Sequence, residues 1–155
     1  MKNVLLMIPP NHQSKAAVHE AIAAAKDRHG RLLVVVALDP EVLDGICATL
    51  SNVGFMGEKV SDQVQETLLR EYRSRAEEMA QEIAREAQAA GVAAESKFEE
   101  GDPSEICRRL IPSNDVALAI LVAERRSWLA RLLARNSLQV PTLAGCEVRV
   151  IEEDA

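Results

Sequence analysis

Aromatic residues are scarce in this sequence. Phe55, Tyr72, Phe98 and Trp128 are its four, too few and too scattered for a surface on which unpaired bases stack. Basic residues are outnumbered by acidic ones, 18 to 24, for a net charge of -6. That balance works against broad contact with a phosphate backbone. The three cysteines, Cys47, Cys107 and Cys146, form no CxxC pair, so neither a zinc site nor a disulfide framework is indicated. They read as small buried hydrophobes of a reducing compartment. Long apolar runs are missing too. Val116 to Ala123 spans eight residues, where a membrane helix needs about 20. Val4 to Ile8 is shorter than a signal-peptide core and stops at Pro9-Pro10. The expectation is a cytoplasmic protein that engages neither nucleic acid nor membrane.

What is present suits one soluble globular domain over residues 1–155. Apolar residues make up 48% and charged residues 27%, a folded profile and not a disordered one. Abundant Ala, Val and Leu fit helices packed on a parallel sheet.

Along the chain, strand and helix alternate. Val4 to Ile8 is a buried run ended by proline, which supplies no ladder donor. Ser14 can cap a helix with an apolar face of Val18, Ala21, Ile22 and Ala25, and Gly30 stands where a helix stop belongs. Leu32 to Leu38 is a second buried strand, and its spacing from the first implies a parallel pair with a right-handed crossover. Residues 40–60 read as a short helix and a partly packed loop. Ser61 to Ala90 is a long helix, with Val64, Leu68, Tyr72, Ala76, Met79, Ile83, Ala87 and Ala90 along one core face and Gly91 at its end. Val92 to Phe98 reads as a partly exposed strand. Asp102-Pro103-Ser104-Glu105 is a helix start, with Asp102 as cap and Pro103 in the first turn. Val116 begins the next buried strand, and Cys146 to Glu152 alternates as a terminal one.

Several stretches in this order resemble the universal stress protein family. They are Val4 to Ile8, Gly101-Asp-Pro-Ser-Glu105, Asp115-Val-Ala-Leu-Ala-Ile-Leu-Val122 and Arg131-Leu-Leu-Ala-Arg-Asn-Ser137. The resemblance implies an α/β fold: a doubly wound, five-stranded parallel sheet of order 3-2-1-4-5, helices on both faces, and a homodimer. The ligand crevice of such a sheet opens where the strand order reverses. It should be lined by Pro9, Asn11, Ala123, Arg125, Arg126 and Asn136.

ATP-binding members of that family carry G-x2-G-x9-G-S/T after the fourth strand and an Asp at the end of the first. Here the glycine positions fall on Ala123, Arg126 and Asn136, and the Asp position on Pro9. Ser137 is the surviving match, and it reads equally well as a helix cap. Glycines at those positions let backbone N–H groups approach phosphates. A guanidinium at Arg126 is a large obstacle, while Asn136 is a mild change because Asn tolerates the left-handed region. Arg125, Arg126, Arg131 and Arg135 can be read as an anion site or as a solvated helix face balanced by Glu124. His12, His19 and His29 have no further ligand spaced to join them and read as surface residues. No triad or nucleophile elbow is present.

The sequence therefore leads to a non-enzymatic stress-response or regulatory homodimer, with no cofactor and a degenerate nucleotide crevice. A protein partner is open. The alternative is a switch that binds ATP or another adenine nucleotide in the same crevice. The dimer is expected through Cys146, Glu147, Val148, Arg149, Val150 and Ile151. Antiparallel pairing of this strand with its twin, centred on Val148, would oppose Glu147 with the twin's Arg149. A centre on Ile151, opposing Arg149 with the twin's Glu153, is the alternative, while a centre on Arg149 would set two arginines against each other.

Overall fold

The computed structural model of the chain describes residues 2–10, 14–38, 62–124 and 146–153. Their elements run β1 (Asn3–Ile8), α1 (Lys15–Asp27), β2 (Leu32–Leu38), α2 (Asp62–Ala89), β3 (Ala94–Glu100), α3 (Pro103–Ser113), β4 (Val116–Glu124) and β5 (Glu147–Glu153). The five strands form one parallel sheet in the order β3-β2-β1-β4-β5, as expected.

The apolar runs of β1, β2 and β4 are central strands buried on both faces, which is why they lack alternation. Val4, Leu6, Ile8, Leu32, Val34 and Val36 pack on one side with α1 and α2. Leu5, Met7, Leu33, Val35 and Ala37 pack on the other with Ile106, Cys107, Leu110 and Ile111 of α3. The sheet is thus covered on both faces. One irregularity sits at the start of β4. Asn3 is opposite Val116, but Val4 is opposite Leu118, so Ala117 is an extra residue. The bulge turns Val116 toward α3 and Leu118 toward α1 and α2.

Helix starts follow the sequence. Ser14 caps α1, its hydroxyl accepting from the Ala17 N–H at 3.1 Å. Asp102 caps α3 by accepting from the Ser104 N–H at 2.9 Å, with Pro103 in the first turn. Removing the first cap has a measurable cost. Ser14→Ala should lower stability by about 1 kcal/mol, seen as a fall of about 3 °C in a thermal melt.

The third and last strands differ in their bounds from the sequence reading. The third strand begins at Ala94, not Val92, and runs on to Glu100; the last covers Glu147 to Glu153, not Cys146 to Glu152. Val92 is buried because the turn after α2 folds it back, its N–H bonding Ala87 O at 2.9 Å. The stripe of α2 is also shorter than expected. Ala76, Met79, Ile83 and Ala87 are buried, whereas Leu68, Tyr72 and Ala90 are only half-buried. The side chain of Val64 and the helix-and-loop reading of 40–60 lie outside the described residues.

Candidate functional site at the strand-order reversal

Sheet order reverses between β1 and β4, so the two strands' C-terminal ends flank the crevice. Met7 stands opposite Leu121; continuing that register sets Pro9 across from Ala123. Pro9 and Pro10 are half-buried. Ser14, 1% exposed, brings the first turn of α1 close behind β1. That turn contains no acidic side chain. Of the expected crevice residues, the structure places Pro9 and the backbone of Ala123 together at this reversal. Asn11, Arg125, Arg126, Asn136 and Ser137 lie outside the described residues, as do Arg131, Arg135 and His12.

Among the described residues, the side chains packed against β1 are apolar or neutral. Cys107 of α3 is buried beside Met7 of β1, sulfur to sulfur 3.9 Å. Burial pushes its thiol up to about 12, with the nearby Cys146 and Asp102 adding to the shift. Cys146 is shifted in the same direction, again chiefly by burial. Both are free thiols and behave as the small hydrophobes expected of them; Cys47 lies outside the described residues. His19 and His29 are exposed. Among the described residues no group of three or more His, Cys, Asp or Glu could hold a metal ion, and no helix is long and apolar enough to cross a membrane.

At the other expected site, β5 is an edge strand whose faces divide as its alternation implies. Cys146, Val148 and Val150 turn toward the α3 side and Ile151 toward the α1 and α2 side. Arg149 holds a partner that the sequence reading missed. Its guanidinium meets Glu20 of α1 at 2.9 Å and Glu147 at 3.0 Å. Alternation puts Arg149 on the face of Glu147 and Ile151, but which helix residue meets it depends on how α1 lies across β5. Sequence spacing does not carry that. Gln88, which bonds the Ala94 carbonyl at 3.3 Å, was missed for the same reason.

The model of the universal stress protein family matches residues 1–152. The chain belongs to that family. A search of curated proteins finds no match. Among solved structures, a universal stress protein family member from Burkholderia pseudomallei is 20% identical with a TM-score of 0.61, over 96% of this chain and 94% of that one. The universal stress protein from Archaeoglobus fulgidus in complex with dAMP is 15% identical with a TM-score of 0.57, over 97% and 99%. A second structure of a universal stress protein from that organism is 13% identical with a TM-score of 0.57, over 96% and 93%. At these identities the shared property is the fold.

Proposed function

We propose that this universal stress protein works without catalysis, as a cytoplasmic homodimeric regulator whose nucleotide crevice is degenerate. Pro9 carries the reading. It occupies the end of β1 at the strand-order reversal, where the family's ATP-binding members hold an Asp, and it offers neither a carboxylate nor an N–H. Ala123 and Arg126 replace two phosphate-loop glycines in the same reading.

Thermal melting with millimolar Mg-ATP tests it. A ligand at a hundred times its Kd adds about 2.7 kcal/mol, or about 5 to 10 °C in Tm for a chain of this size. The degenerate crevice predicts a shift below about 2 °C. A saturable rise of the larger size supports the second reading, an adenine-nucleotide switch, which is favoured by the dAMP complex of the Archaeoglobus fulgidus relative. Stabilisation by inorganic phosphate or sulfate that Arg126→Gly removes would instead assign the crevice to an anion held by arginines.

Support for the dimer comes from β5. It is an edge, and an uncovered edge strand invites pairing. Arg149 is already engaged with Glu20 and Glu147 of its own chain, so a bond to the twin's Glu147 would be shared with these and not added to a free charge.

A further inference from the structure

β3 is the sheet's other edge. The Leu32 N–H donates to Ala93 O at 2.9 Å, and the Gly101 N–H to Leu38 O at 3.0 Å. With Leu32 opposite Ala94 and Leu38 opposite Glu100, these bonds fix the phase of the strand. Its odd-numbered residues turn their N–H and C=O groups toward β2, while Ala94, Ser96, Phe98 and Glu100 turn theirs outward. The Gln88 side chain takes up the Ala94 carbonyl. Ser96, Phe98 and Glu100 remain as a run of outward donors and acceptors, with no main-chain partner among the described residues.

Charge on an edge strand usually discourages pairing, and β3 carries Glu95, Lys97 and Glu99 on the face away from α2. Glu95 is paired with Arg31 at 3.3 Å and Glu99 with Arg109 at 2.9 Å. Lys97 is exposed and has no ion-pair partner among the described residues. This row alternates in sign, so an identical row run antiparallel can meet it charge to charge, and the register decides. A two-fold axis at Lys97 sets Lys97 against its twin and Glu95 against Glu99, all like charges. An axis at Ser96 sets Glu95 against Lys97 but calls on the Ala94 carbonyl that Gln88 holds. An axis at Phe98 sets Lys97 against the twin's Glu99 twice over, in non-hydrogen-bonded pairs, where side chains lie closest. Its main-chain bonds use only Ser96, Phe98 and Glu100.

The α2 face fits the same register, which brings the twin's Glu100 opposite Ser96. There the edge borders a groove of about 290 Å³ lined by Glu77, Ala80, Gln81, Ser96, Lys97 and Phe98. The Gln81 amide and the Ser96 hydroxyl can donate to a carboxylate. Arg73, 5.9 Å over the Phe98 ring, is paired with Glu100 of its own chain, so Glu77 meets a neutral pair and not a bare acid. We propose that β3 pairs antiparallel with β3 of a second copy of the chain, centred on Phe98. Phe98 is the one large apolar side chain of this edge, against Val148, Val150 and Ile151 in β5. Less apolar surface is buried, so the contact is weaker than one through β5. It forms at concentrations where a β5 dimer is already complete.

This goes beyond the proposed function and is independent of the β5 dimer, because β3 and β5 are opposite edges of the sheet. The measurement is sedimentation of the full chain from micromolar to millimolar concentration at low salt, beside Val148→Pro. The parent should grow past the dimer as concentration rises, and Val148→Pro should pass from monomer to dimer over the same range. A parent that reaches only the dimer, as Val148→Pro does, would remove the β5 dimer and still support pairing through β3. Ser96→Pro takes away an outward donor and leaves the β2 ladder intact. Added to Val148→Pro, it should hold the chain monomeric throughout, with circular dichroism to show the fold. Lys97→Glu in the Val148→Pro chain should weaken association about tenfold, since two exposed charge pairs are reversed at once. Adding Glu99→Lys should restore it in part, because that change also gives up Arg109. A Val148→Pro chain that stays monomeric to millimolar concentration, or an association indifferent to Ser96→Pro, would overturn the proposal. So would a double charge variant that associates no more tightly than Lys97→Glu alone.

Discussion

Val148→Pro should leave a folded monomer of about 17 kDa, half the mass that the proposed dimer of the unsubstituted chain should show. The expectation rests on the phase of the sheet. The Val4 N–H bonds Arg31 O of the β2 side at 2.9 Å, so Leu5 turns its backbone toward β4. Leu5 stands opposite Ala119, and Ala119 opposite Val148. Following the alternation outward, Ala119 bonds toward β5, and Val148 and Val150 present their N–H and C=O groups beyond the edge. Proline at Val148 therefore removes a donor aimed at a second copy and leaves the β4 ladder intact. In a dimer centred on Val148, symmetry removes the same bond twice. Light scattering coupled to gel filtration reads the outcome, with circular dichroism to show that the variant is folded. A dimer that survives the substitution would place self-association on another surface. Arg149→Glu should also weaken the dimer, but it breaks the bond to Glu20 of the same chain as well. Adding Glu147→Arg should therefore restore association only in part, seen as a Kd between those of the single variant and the parent.

The two-faced core was legible because it rests on local pattern, whereas the strand order was implied by the resemblance to the family. Val4 to Ile8, Leu32 to Leu38 and Val116 to Val122 carry no polar residue, which burial on both faces demands. Ser14 and Asp102 announced their helices because a capping side chain acts within three residues of itself. Contacts between a helix and a strand were not legible, near or far in sequence. Glu20 with Arg149 and Gln88 with Ala94 depend on how a helix crosses a strand, and no spacing rule records that angle. The bulge at Ala117 was hidden for another reason: in a strand buried on both faces, one extra apolar residue leaves no break in polarity. Of the crevice, the sequence identified Pro9 at the end of β1, and the sheet order puts it at the reversal.

Gly30→Ala should be among the most damaging single-methyl changes in the chain, while its neighbour substitution, His29→Gly, should stabilise. Gly30 read as the stop of α1, yet the left-handed residue is His29, with φ 53°. The His29 N–H bonds Lys26 O at 3.2 Å and the Gly30 N–H bonds Ala25 O at 3.0 Å, the two bonds of a Schellman ending. α2 ends in the same way. The Gly91 N–H bonds Gln88 O and the Val92 N–H bonds Ala87 O, but there the left-handed position is a glycine, φ 88°. So α1 places its glycine one residue late for the turn, and another constraint explains it. A Cβ on Gly30 would stand 2.0 Å from the backbone oxygen of Lys2, just before β1. Neither side can yield easily, since β1 is the central strand and Gly30 is fixed by the end of α1. Gly30→Ala should therefore cost about 3 kcal/mol, the upper range for inserting a methylene into a packed site. His29 needs its side chain for no bond described at this turn and bears the left-handed penalty, roughly 1 to 2 kcal/mol for a residue with a Cβ. Glycine there should recover about 1 kcal/mol of it, the remainder being offset by the freedom glycine gains in the unfolded chain. Urea unfolding of the two variants beside the parent measures both. Equal and small effects at the two positions would show that the approach of Lys2 to Gly30 is not a fixed feature of the fold.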